Sequence, residues 1–113
     1  MKIGFDLDGT LDVPALRDLA NALHAAGHEV YVVTGGLADT GEWTMPAREQ
    51  RLAALGVNCT EIVRCITPRI ADIGALKAQA CVEREIPILL DDSGMYIDGA
   101  RAASSGLCLL QVR

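Results

Sequence analysis

The sequence predicts a Rossmann-like three-layer α/β fold: a parallel sheet of about five strands with helices on both faces. Three observations carry this. Runs such as VYVVTGG are apolar at successive positions and rich in β-branched residues, as strands buried on two sides must be. Segments with helical periodicity separate these runs. Each pair of runs is joined through one such segment, the connection that parallel neighbours require. At 113 residues, half of them hydrophobic, the chain suits a single domain, residues 1–113, around one core.

The elements follow in order. Lys2 to Leu7 reads as the first strand. Asp12 is placed to cap the helix that follows, Pro14 suits its first turn, Leu16, Leu19, Ala20 and Leu23 recur on one face, and Gly27 ends it. Val30 to Gly36 is the second strand. A polar loop containing Trp43 leads to a helix from about Pro46, with Gly56 as its C-terminal glycine. Cys59 to Ile66 supplies a third strand, and its Glu61 and Arg64 place it toward a sheet edge. A helix bearing Ile73, Leu76, Lys77, Ala80 and Cys81 on one side runs to about Glu85, and IPILLDD is the fourth strand. A helical stretch around Met95 to Ala103 and a last run, Gly106 to Val112, complete the pattern.

Composition narrows the function classes. The net charge of −5 offers no broad basic surface for a nucleic-acid backbone, which makes nucleic acid an unfavoured partner, although a local cationic pocket is compatible with it. Cys59, Cys65, Cys81 and Cys108 lack any paired metal-ligand spacing and read as reduced core residues. There is no signal-peptide pattern and no run that could span a bilayer, so a cytoplasmic protein with no membrane contact is expected. His24 and His28 are four apart, but Gly27 between them argues against a metal pair.

In a parallel sheet every strand ends at the same edge, and ligands bind there. The strand ends carry residues unsuited to packing: Asp6 and Asp8 after the first, Thr34 at the second, Asp91 and Asp92 at the fourth. Lys77 falls early in the helix after the third strand, particularly if Asp72 caps it. Each has a bland explanation as a turn or surface residue, but together they converge on one place.

FDLDGTL, VVTGG, Lys77 and LLDDS resemble, in order, the four motifs of the haloacid dehalogenase-like (HAD) hydrolase superfamily, and the nearest likeness is to its short phosphatase-like members without a cap domain. The resemblance implies Mg²⁺ held by Asp6, the main-chain carbonyl of Asp8, and Asp91, with Asp92 either ligating through water or orienting the other ligands. It implies phosphate held by Thr34, Lys77 and backbone N–H groups around Gly9 and Gly35. Asp6 would attack phosphorus and form an aspartyl-phosphate, and Asp8 would be the general acid and base. An acid at position 8 favours phosphate-ester hydrolysis over the dehalogenase and transport-ATPase branches.

The short connections leave no room for a cap, so an open site is expected. Specificity would then come from short loops, from a neighbouring subunit in a homo-oligomer, or from a large substrate that covers the site. The phosphorylated substrate's size stays open. So do two other readings: a non-enzymatic phosphate-binding regulatory module, and an enzyme acting on nucleic-acid phosphate ends. Trp43 reads as packing at a helix start, with a substrate platform as the alternative, and Tyr96 is assigned no role.

Overall fold

A computed structural model describes all 113 residues, Met1–Arg113. Five parallel strands form one sheet in the order β3-β2-β1-β4-β5: β1 (Lys2–Phe5), β2 (Glu29–Gly36), β3 (Glu61–Ile66), β4 (Ile88–Asp91) and β5 (Cys108–Gln111). Four helices connect them: α1 (Pro14–Ala25), α2 (Met45–Leu55), α3 (Ile73–Glu83) and α4 (Gly94–Ala103). The Rossmann-like α/β architecture read from the sequence is present, with no domain inserted on any connection and β3 at an edge. No helix is long and apolar enough to cross a membrane.

Successive residues of β2 explain the continuous apolar run. Val30 and Val32 join Ile3, Phe5, Ala20 and Leu52 in the core beneath α1 and α2. Tyr31 and Val33 join Val63, Cys65, Ala80 and Cys81 in a second core beneath α3. Both sheet faces are dry, as strands covered on two sides require. Strand order reverses at β1, whose neighbours β2 and β4 lie on opposite sides of it. A crevice opens at the carboxyl ends where strand order reverses, and here that point falls between β1 and β4.

Several local expectations are corrected. Asp12 does not cap α1. Its backbone is already helical, whereas Val13 has the extended conformation of a cap residue, and Pro14 fills the first turn. Leu19 is exposed, because the buried stripe of α1 runs through Leu16, Ala20 and Leu23 and leaves it at the margin. Asp72 makes no capping hydrogen bond to α3; its backbone is helical and its carboxylate lies 3.7 Å from Arg69. Helix α3 stops at Glu83, two residues early, and Glu85 turns to φ +57°. Of the cysteines, all free, only Cys65 and Cys81 are buried; Cys59 is half-buried and Cys108 is exposed on edge strand β5. His28 Nδ1 lies 3.1 Å from the N-terminal amine.

Helices α3 and α4 touch backbone to backbone. A Cβ on Gly74 would lie 2.4 Å from the carbonyl oxygen of Tyr96, so glycine there permits the contact. The close approach draws the start of α4 over the start of α3, and it positions Tyr96.

Candidate active site

Strand β1 ends at Phe5, and the next N–H, of Asp6, still donates to the Leu90 carbonyl at 2.8 Å. Asp6 is thus held as an extension of the sheet, one strand away from Asp91 at the end of β4. After Asp6 the chain makes a tight irregular turn over Leu7–Leu11, with Asp8 extended and Gly9 at φ +81°. Glycine is needed at position 9 twice over: for that φ, and because a Cβ would sit 2.1 Å from the Asp92 carboxylate.

Lys77 reaches from the second turn of α3 to the centre of this edge. Its Nζ donates to Asp6 Oδ1 at 2.7 Å and to Asp91 Oδ2 at 2.6 Å, and it is fully buried. The other Asp91 oxygen accepts from the Ser93 N–H at 3.0 Å. Thr10 Oγ1 lies 3.4 Å from both Asp6 Oδ2 and Asp92 Oδ1. Asp6, Asp91 and Asp92 offer carboxylate oxygens all within 4.8 Å of one another. When ionised, three carboxylates against one ammonium leave two uncompensated negative charges in a largely dry place.

The electrostatics follow from burial. Desolvation raises the Asp6 carboxyl to about 7, and the Asp91 charge adds to this while Lys77 opposes it. For Lys77, burial alone would pull the amine down, but the charges of Asp6 and Asp91 outweigh it and hold the ammonium above its ordinary value. Protonation of Asp6 would weaken that hold. The ammonium nonetheless stays charged, because Asp91 contacts it too.

Thr34 ends the run of inward-pointing residues on β2. It is 2% exposed, and its Oγ1 has no hydrogen-bond partner. A buried hydroxyl without a partner is uncommon and calls for a guest. The next residue, Gly35, lines an adjoining cleft, and Ile73 of α3 packs so closely that a Cβ would meet its Cγ2 at 2.3 Å. The cleft is open, about 300 Å³ in volume, and walled by Asp6, Asp8, Gly35, Trp43, Asp92 and Tyr96.

The structure therefore brings Asp6, Thr34, Lys77, Asp91 and Asp92 to one edge, with Gly9 and Gly35 beside them. Asp8 lines the cleft, but its carboxylate is not part of the acidic cluster. It faces α2 instead, where Arg51 contacts Oδ1 and Arg48 Nη1 lies 3.4 Å from Oδ2. Arg48 is 1% exposed and stacks against Trp43, with 4.3 Å from guanidinium carbon to ring centroid. Gly36 makes room for that ring, since a Cβ there would lie 2.3 Å from it.

Sequence reasoning passed over these arginines. The signal was present: Arg48 stands four residues before Leu52 on the buried stripe of α2, a charge at a core position. Trp43 does pack at the helix start, and it also walls the cleft. Tyr96, assigned nothing, lies with its ring 4.8 Å from Lys77 Nζ. Only the Gly74 contact between helices could have located it. Arg113 adds a bond from Nη1 to the Gly9 carbonyl at 3.0 Å.

No family model matches the chain. A search of curated proteins finds no match. Among solved structures, a chain of the Pnkp1/Rnl/Hen1 RNA repair complex superposes with a TM-score of 0.76 at 18% identity, over 98% of this chain and 42% of that one. A second Pnkp1/Rnl/Hen1 complex gives 0.74 at 18% identity, over 98% and 45%. This chain thus spans less than half the length of those it resembles. At such identity the likeness shows the fold alone: a Rossmann-like α/β domain with a five-stranded parallel sheet.

Proposed function

We propose that this domain is a HAD-like, Mg²⁺-dependent phosphohydrolase that cleaves phosphate monoesters. The observation that carries the reading is the buried cluster in which Lys77 bridges Asp6 and Asp91 beside Asp92, at the crevice where strand order reverses. The all-oxygen donor set suits a hard divalent cation, and the residual double negative charge matches its charge. Asp6, Asp91 and Asp92, with the Asp8 carbonyl, would hold the ion. Bound there, it would offset the charge of the carboxylates and of the phosphoryl group as it transfers.

The chain's own residues account for the rest. By its resemblance to the HAD hydrolases Asp6 supplies the nucleophilic carboxylate oxygen, and its place on the cleft wall in contact with Lys77 fits that role. That oxygen bonds to phosphorus as the bond from phosphorus to the ester oxygen breaks. Lys77 and the unpartnered Thr34 hydroxyl bind phosphoryl oxygens. Asp8, on the cleft wall, gives a proton to the departing ester oxygen. It takes one back from the water that then attacks phosphorus, which releases inorganic phosphate and restores Asp6. Such acid-base assistance is worth on the order of 10²- to 10⁴-fold.

The likeness to chains of an RNA repair complex supports adding phosphorylated polynucleotide ends to the candidate substrates. A chelated, magnesium-readded assay on an aryl phosphate tests the reading. Phosphate release should need the metal and fall by on the order of 10⁴-fold in Asp6→Asn. Equal turnover by that variant would remove the proposal, and no turnover by wild type across monoesters would leave a phosphate-binding module in its place.

A further inference from the structure

Arg48 and Arg51 bring two guanidinium groups to one carboxylate, that of Asp8. One positive charge is therefore left over behind Asp8, which walls the cleft. Arg48 is the more telling of the two. Only its Nη1 finds a partner, at 3.4 Å, while Nε and Nη2 are buried with none. A guanidinium has five donors and cannot shed its charge, so burying it half-bonded is unfavourable until an anion completes it. Its other neighbours do not supply one: Trp43 covers a face of the group with its ring. Asp8 itself is exchangeable, with 47% of its side chain exposed.

The position of this pair has a chemical meaning that rests on the phosphohydrolase reading above. Asp8 is the group that meets the ester oxygen of the leaving group. Whatever stands next to Asp8 on the side of α2 therefore stands next to the leaving group, away from the phosphoryl group held by Lys77 and Thr34. We propose that Arg48 and Arg51 form a second anion subsite, and that the preferred substrates are monoesters whose leaving group carries a phosphate of its own.

The incoming phosphate takes the place of Asp8 on Arg51 and on Nη1 of Arg48, and its additional oxygen accepts from Nη2, one of the two donors that the carboxylate leaves without a partner. This frees the Asp8 carboxylate to turn toward the ester oxygen. Trp43 and Gly36 keep Arg48 from following it, because the ring is wedged between the β2 backbone and the guanidinium. Planar forked donors suit a phosphate better than an ammonium would. Two sources share this chemistry: a nucleoside bisphosphate, and the phosphodiester adjoining a phosphorylated oligonucleotide end.

The test separates this inference from the reading beneath it. Binding is measured by calorimetry in Asp6→Asn protein with magnesium, using a nucleoside 3′-monophosphate, a nucleoside 3′,5′-bisphosphate and a 3′-phosphorylated dinucleotide. At least one of the two diphosphorylated ligands should bind about tenfold or more tightly than the monophosphate. That ratio should collapse toward one when Arg51→Ala is added and recover in part with Arg51→Lys. Tighter binding of the dinucleotide alone identifies a polynucleotide end, of the bisphosphate alone a second phosphate monoester, and of both any neighbouring phosphate. A ratio near one, or a ratio that survives Arg51→Ala, overturns the subsite. In parallel, turnover by wild-type protein decides the phosphohydrolase reading. A ratio without turnover leaves a binding site for paired phosphates, and turnover without a ratio removes the subsite alone.

Discussion

Two buried cations, Lys77 and Arg48, serve neighbouring aspartates in opposite ways. Lys77 is enclosed with its partners: Asp6 and Asp91 are buried as well, so all three groups have given up water together. Arg48 is enclosed alone, and its partner Asp8 keeps half its side chain in solvent. The first arrangement is mutually dependent, whereas in the second the carboxylate can leave without being stranded. In the proposed mechanism, the aspartate that would act as nucleophile is bolted in from three elements, and the one that would move a proton hangs from a single helix.

The difference can be broken by one kind of substitution made twice. Lys77→Met should destabilise metal-free protein by about 3–5 kcal/mol, since it leaves two buried carboxylates with no cation. Urea unfolding in chelator measures this, and magnesium should restore more stability to the variant than to wild type. Arg48→Met should fall within about 1 kcal/mol of wild type, because Asp8 simply rehydrates and a buried unsatisfied guanidinium is removed. Equal losses at the two positions would mean that partner exposure is not what distinguishes them.

Titration sharpens the same contrast. Asp6 rises to about 7 in the folded chain from an ordinary value of 3.8, so between those values the native state holds more protons than the unfolded one. Stability that depends on this group therefore falls as pH climbs through that window, by about 1.4 kcal/mol per pH unit at most. Unfolding curves of metal-free wild type and Asp6→Asn should converge toward pH 4 and separate toward pH 7, with wild type the less stable at the upper end. Parallel curves would show that Lys77 fully offsets burial.

The smallest effect concerns thiols. Burial pushes Cys81 up to about 12 and Cys65 to about 11, whereas Cys108 stands exposed on β5. A maleimide at neutral pH should label Cys108 in native protein and reach Cys65 and Cys81 only on unfolding. Mass spectrometry of the tryptic peptides reads the order directly, and early labelling of Cys81 would show that the packing beneath α3 opens readily.

Much of the fold was legible because burial on two faces leaves a one-dimensional trace. Val30 to Val33 cannot be other than a doubly covered strand, and Gly56 at φ +73° ends α2 where the glycine stands. Asp6, Thr34, Lys77 and Asp91 were legible for a related reason: polar residues at the ends of buried strands and helices have few places to go except the common edge. Asp12, Leu19 and Cys108 misled, since capping depends on backbone angles and exposure on neighbours that a local pattern does not contain.

Local sequence, through periodicity and strand-end chemistry, determined the parallel sheet and the gathering of acidic groups around one lysine. Only the tertiary structure decided that Asp8 would turn away from that cluster toward Arg48 and Arg51, that Trp43 would wedge against Gly36, and that Tyr96 would cover Lys77. Those outcomes depend on distances between residues tens of positions apart, set by how closely α2 and α4 dock on the sheet and on α3. No sequence spacing encodes such a distance, because it is the sum of every side chain packed between.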